Sequence, residues 1–434
     1  MSTVYAAEPR LLRAAPADVF LAGSLESLLP PDHPVRDVRS FVDSLDLTDL
    51  LASIRSVEGA AGRPSIDPRI LLTLWLLATA EGIGSARELA RLAGEHLAYR
   101  WAAGGVAVGY HTLADFRSGH GELLDRLLTA TVAVMLHEGL IELKRVAQDG
   151  MRVRAAAGTS SFHREPTLDK CLQEARAQVE ALRRQPSEDH AAPDRRVQAA
   201  RRRAAAERLA RLELAKEELR KLREVNDARF PSQQHEASAL RVSTTDPQSR
   251  KMKMPDGGYR PAYNVQFATT TVGGVIVGVE VTNEGTDAAQ LTPMLKQLAG
   301  NCGSRPEELL VDGGFVTVAG IDEAQRQGTM IYAPVKEEKK QIAEGKDPYA
   351  RKRSDTDATA QWRARMGTEE AKAIYRQRAS TAEWVNAGAR NRGMYAVPVR
   401  GIVKVRTLAL WQALVHNMGR LSKLRACVRG DGAR

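Results

Sequence analysis

Up to about residue 140, apolar residues recur at three- and four-residue steps, the pattern of helices buried on one face. From Pro34 to Leu51, the positions Val35, Val38, Phe41, Val42 and Leu45 fall close to one such face. After the loop Gly62-Arg63-Pro64-Ser65, Asp67 can cap a helix with Pro68 at its first position, running through Ile70, Leu71, Leu74, Leu77 and Ala78. Gly82 and Gly84 end it, and Ser85 caps a helix from Ala86 to Leu92 with Glu88 in capping-box position. A break at Gly104, Gly105 and Gly109 leads to His111–Arg117 and then to an apolar-faced helix from Leu123 to Leu140. Short helices with tight turns suit a helix-turn-helix DNA reader and equally a helical dimerisation bundle.

At Leu143 the period changes. Arg145–Asp149, then Gly150, then Met151–Arg154 alternate apolar with basic residues and predict strand, turn, strand, with Asp149 ending the first strand. Leu172, Ala175, Val179 and Leu182 return to helical steps. A polar turn from Pro186 to Pro193 follows, and Asp194 can cap a second helix carrying Leu212, Ala215, Leu219 and Leu222. This heptad-like seam predicts an antiparallel helical hairpin inserted between strands. Tyr263–Thr269 and Val275–Val281 flank the turn Val272-Gly273-Gly274 as a strand pair. A helix from Ala288 to Ala299, a short buried strand Glu308–Asp312, a helix from Val318 to Gln327 and a strand from Thr329 to Val335 come next. Glu337 to Gln361 is charged and lysine-rich and reads as a loop with little order. Helices from Glu369 to Gly388 and from Val405 to Leu424 close the chain. This order predicts an α/β fold, a mixed sheet with helices on its faces.

Composition narrows the function. Of 434 residues, 43% are hydrophobic and 27% charged, as in a globular protein. The excess of 63 Lys plus Arg over 53 Asp plus Glu leaves a net charge of +10, which favours a polyanionic partner, nucleic acid first. No run reaches the ~20 apolar residues of a membrane span, and the N-terminus has no export pattern, so no membrane partner is expected. Cys171, Cys302 and Cys427 are too scattered for a metal site or a disulfide framework and fit a reducing, cytoplasmic setting. Neither a phosphate-binding loop nor a dinucleotide fingerprint is present, so no nucleotide cofactor is expected. The nucleophile elbow of hydrolases and the zinc-binding His-x-x-x-His helix are missing too.

Three acidic residues remain. Asp149-Gly150 and Asp312-Gly313 are ordinary turn dipeptides, and Glu383 alone is an ordinary helix charge. Taken together, two aspartates from neighbouring strands and a glutamate from a packed helix can converge. Carboxylate oxygens suit hard cations, and a pair of Mg²⁺ ions serves phosphoryl transfer on nucleic acid.

The segment Tyr375-Arg376-Gln377-Arg378-Ala379-Ser380-Thr381-Ala382-Glu383, with Arg390 seven residues beyond, resembles the Tyr-Arg-Glu-Lys signature of bacterial insertion-sequence DDE transposases. Val311-Asp312-Gly313-Gly314-Phe315 is similar to the second-aspartate motif of that family, and Gln148-Asp149-Gly150 to its first. Tyr263-Asn264-Val265-Gln266 resembles the strand between them. The resemblance implies a ribonuclease-H-like catalytic domain over residues 141–425, interrupted by the hairpin insert at 165–240. An all-helical domain that binds DNA ends (1–140) would precede it, and a basic tail (426–434) would follow. Asp149, Asp312 and Glu383 would be catalytic and hold two Mg²⁺ ions, for which Mn²⁺ can substitute. Tyr375 and Arg378 would contact DNA phosphate, and Arg390 would take the place of the signature lysine, offering a planar fork instead of a point charge. Trp384 and Met151 stand where relatives often carry Pro and Thr. The implied activity is cleavage at element ends in double-stranded DNA and strand transfer of the 3′-hydroxyl into target DNA. A homodimer on DNA, nucleoid-associated, would carry it out. A metal-dependent nuclease that cuts without joining and a catalytically silent DNA-binding protein are the alternatives.

Overall fold

The computed structural model describes residues 24–52, 54, 65–184 and 192–430. The expected loop at Gly62-Arg63-Pro64 and most of the turn from Pro186 to Pro193 lie outside them.

The strands in chain order are β1 (Arg145–Arg154), β2 (Phe162–His163), β3 (Val242–Ser243), β4 (Arg250–Lys253), β5 (Tyr259–Thr270), β6 (Ile276–Thr282), β7 (Glu308–Leu310) and β8 (Met330–Tyr332). Six of them form one mixed sheet in the order β4-β5-β1-β7-β8, with β6 also paired to β5; β2 and β3 pair separately. β1 is the junction: it runs antiparallel to β5 and parallel to β7, which in turn is parallel to β8. The parallel strands β7 and β8 are three residues each and buried except for Met330 at the start of β8, as expected where helices cover both faces.

The N-terminal helices and the sheet share one continuous hydrophobic core. The helix Ile402–Arg429 joins them, and it is buried on most of its circumference along its middle. Trp411 of this helix donates to the Arg117 carbonyl, and Asn417 hydrogen-bonds both backbone groups of Ile276 on β6. The inserted hairpin, Glu165–Arg184 with Ala192–Asp227, has a separate core of Leu168, Leu172, Ala175, Leu212, Ala215 and Leu219 against Val242.

Three local expectations change. Arg145–Arg154 is a single strand with no turn at Asp149-Gly150; Gly150 pairs in register with Gln266. The glycine serves packing, because a Cβ there would meet Asp287 Oδ1, Gln266 Nε2 and Asn264 Oδ1 at 2.4, 2.5 and 2.8 Å. Glu337–Gln361 is more ordered than its charge suggested. It holds the helix Glu338–Ala343 and the start of Asp357–Met366, pinned by buried Trp362 and by the Arg363–Asp355 ion pair at 2.7 Å. Finally, the helix expected from Glu369 to Gly388 is α-helical only over Glu369–Arg378 and Trp384–Asn391. A π-helical turn, Ala379–Glu383, separates the two parts.

Candidate active site

Asp149 sits mid-strand on β1 rather than at a strand end. β1 pairs with β5 along most of its length, which holds the Asp149 backbone opposite Phe267, while the parallel ladder to β7 ends two residues earlier, at Ala147. Oδ1 accepts from the Gly150 amide at 3.0 Å and from Arg378 at 2.8 Å, and Oδ2 accepts from Asn386 at 2.9 Å. Burial pushes the Asp149 carboxyl above its ordinary range; Arg378 pulls against that, and Asp312 adds to it.

Asp312 lies two residues past β7, at the carboxyl edge of the parallel strands. Its Oδ1 accepts the Gly314 amide at 2.7 Å, closing the Asp-Gly turn that the dipeptide predicted. Glu383 ends the π-helical turn and is largely exposed.

These three carboxylates, far apart in sequence, face one guanidinium. Arg378 Nη2 lies 2.8 Å from Asp149 and 4.0 Å from Asp312, while Nη1 lies 3.3 Å from Glu383. The π turn makes this possible. In a regular α-helix, residues five apart point ~140° away from each other at about 100° per residue. An i→i+5 turn stacks them instead, so Arg378 and Glu383 share a face. Burial works against the charge of Arg378, but Asp149, Tyr375, Asp312 and Glu383 overcome it and leave its pKa raised.

Tyr375 stands one turn before Arg378 on the same face, partly buried against the core. Burial pushes its phenol up, with Arg378 opposing. Arg390 is not part of the cluster. It is exposed on Trp384–Asn391, about 10 Å along the helix from Glu383 at 1.5 Å per residue.

Asn386, which the sequence reading missed, is almost fully buried and orients Asp149. Its spacing of three from Glu383 was the available signal. Trp384 turns away from the carboxylates and packs edge-on to His416 at 5.1 Å, with Arg420 over its ring.

Among the described residues, no three His, Cys, Asp or Glu side chains stand close enough together to hold a metal ion as placed. The donor chemistry nonetheless fits a hard divalent cation: all three groups are carboxylates, and a cationic group already lies between them. Arg378 Nε and Asn386 Oδ1 are buried there without a partner among the described residues. Beside Asp312, a groove lined by Gly313, Pro334, Lys336, Lys340, Lys346, Arg351 and Lys352 runs off the ends of β7 and β8.

Comparison with known families places this site in context. Residues 23–119 match a family described as a transposase domain (DUF772), and residues 338–422 match a transposase DDE domain. The second match contains Tyr375, Arg378, Glu383 and Arg390 but neither aspartate. No curated protein and no solved structure matches the chain. Transposase sequence thus lies towards both ends of the chain. These two matches support an insertion-sequence DDE transposase.

Proposed function

We infer that this transposase cuts DNA at the ends of its element and joins the freed 3′-hydroxyl to target DNA, using Asp149, Asp312 and Glu383. The observation that carries this reading is the meeting of the three carboxylates around Arg378. The strand order supports a ribonuclease-H-like core, with β1 carrying the first aspartate between an antiparallel pair and two parallel strands.

The carboxylates would hold divalent cations, Mg²⁺ or Mn²⁺, which supply Lewis-acid activation and charge neutralisation at phosphorus. In the first reaction water attacks the scissile phosphorus and the 3′-oxygen of the element leaves, giving a 3′-hydroxyl and a 5′-phosphate. That hydroxyl then attacks a target phosphorus and displaces a target 3′-oxygen. Both are in-line displacements, so one set of carboxylates serves both. Asn386 and the Gly150 amide fix the Asp149 oxygens, which are thereby oriented before substrate arrives. Arg378 and Tyr375 would bind phosphate beside the cut. Lys336 and Lys340, whose ammonium groups have no partner among the described residues, would continue the phosphate path along the groove beside Asp312. The N-terminal helices would read the element ends, as a dimer on DNA in the nucleoid.

The test is strand cleavage and strand transfer by Asp149→Asn, Asp312→Asn and Glu383→Gln. Each is expected to lose cleavage by a factor on the order of 10³ or more while still binding DNA. Wild-type cutting by Asp312→Asn would overturn the assignment. Pre-cut 3′ ends that fail to join would leave a nuclease.

A further inference from the structure

We propose that Arg378 is a resident counter-cation that holds the carboxylate cluster together before metal arrives, and that a divalent cation must displace it. This rests on the reading of Asp149, Asp312 and Glu383 as metal holders.

Three like charges converging without a cation would repel one another and raise each other's proton affinity. Arg378 removes that penalty in the DNA-free protein, with Nη2 turned to Asp149 and Asp312 and Nη1 to Glu383. These are the same oxygens a divalent cation would need. Arginine does not lose its proton at any ordinary pH, so the competition is between two cations and is not relieved by titration. Spacing points the same way: the guanidinium lies between carboxylates that are not close enough to hold an ion without moving.

Arg378 is also poorly satisfied where it sits. Its Nε–H is buried with no acceptor among the described residues, and its contact to Asp312 is long, at 4.0 Å. A DNA phosphate offers a planar guanidinium two parallel hydrogen bonds, a better partner than this one. DNA would therefore draw Arg378 out of the cluster and raise the affinity for divalent cation. By linkage the cation would tighten DNA by the same factor. The π turn gives the helix a local irregularity through which Arg378 and Glu383 can separate without disturbing β1. A transposase built this way keeps its cutting site closed until DNA is present.

Calorimetric titration of the full chain with Mn²⁺, in the absence of DNA, tests the idea without measuring activity. Arg378→Gln is expected to bind Mn²⁺ at least tenfold more tightly than wild type, and Arg378→Lys to fall between them, because a single ammonium reaches fewer of the carboxylates. Asp149→Asn should bind more weakly than wild type. Equal or weaker Mn²⁺ binding by folded Arg378→Gln overturns the proposal and leaves the metal reading standing. Should the glutamine variant not fold, Arg378→Lys decides by the same criterion. Absence of Mn²⁺ binding by every protein, wild type included, overturns the metal reading and this proposal with it.

Discussion

The two halves of the carboxylate cluster are built in opposite ways. Asp149 comes from the middle of a ten-residue strand, paired there with Phe267 of β5, and both its carboxyl oxygens are hydrogen-bonded. Glu383 comes from a five-residue π turn between two helices; it is exposed, and its carboxylate contacts Arg378 at 3.3 Å. One half is fixed by backbone pairing, the other is placed by an irregular turn and can move. The proposed reaction, in which DNA is accepted and cut and a second DNA follows, would be well served by one immovable oxygen donor and one adjustable one.

The strongest way to break that contrast is to insert one alanine after Ser380. With six positions then separating them, Arg378 and Glu383 would point about 120° apart at about 100° per helical residue. Cleavage should then fall by a factor on the order of 10³, comparable with losing a positioned group acting on the transition state. The melting temperature should change little. Retained cleavage with a circular dichroism spectrum like wild type would show that the π turn does not place Glu383.

The footing of the helical half gives the next largest effect. His416 lies under Trp384 and donates from Nε2 to the Gly274 carbonyl at 2.7 Å, and burial lowers its pKa to about 4. Its unfolded value is near 6.5, so between these values the unfolded chain takes up the proton first. Stability is therefore complete above pH about 6.5 and is lost as pH falls towards 4, by up to about 3 kcal/mol. In His416→Gln, which keeps a donor for Gly274, the acid-dependent loss measured by chemical denaturation should be much smaller. An unchanged pH profile would remove His416 as the cause.

On the strand side, Gly150→Ala should destabilise by about 2 kcal/mol, because the added methyl would overlap the Asn264–Gln266–Asp287 cluster. A melting temperature equal to wild type would mean that this side is as yielding as the helical one. The smallest effect concerns neither carboxylate. Lys336→Ala and Lys340→Ala should each lower the salt-dependence slope of DNA binding by about 1 and leave folding unchanged. An unaltered slope would place DNA elsewhere.

Legibility in the sequence followed the same division. Period-two alternation identified β5, β6 and the two ends of β1, and three- and four-residue steps identified the hairpin and the closing helix, because burial on one face imposes those periods. The Asp312-Gly313 dipeptide was a turn, as its composition indicated. Asp149-Gly150, with the same composition, was not. What decides between them is the polar cluster from β5 and the Asp287 loop behind Gly150, and those residues lie more than a hundred positions downstream. The lysine-rich stretch after Val335 read as disordered because its charges dominate. Its order comes from the burial of Trp362 and the enclosed Arg363–Asp355 pair, which no local pattern reports.

The sequence by itself determined most of the elements and the acidic residues available for chemistry, since these depend on composition and short-range period, and its short motifs carried the resemblance to transposases. Tertiary structure alone decided that Asp149, Asp312 and Glu383 face one another, that Arg378 stands between them, and that Arg390 stands apart. The physical reason is distance. Electrostatic and hydrogen-bond energies fall off over a few ångströms, and groups separated by 163 and 71 residues come within that range only when the sheet and the π turn have formed.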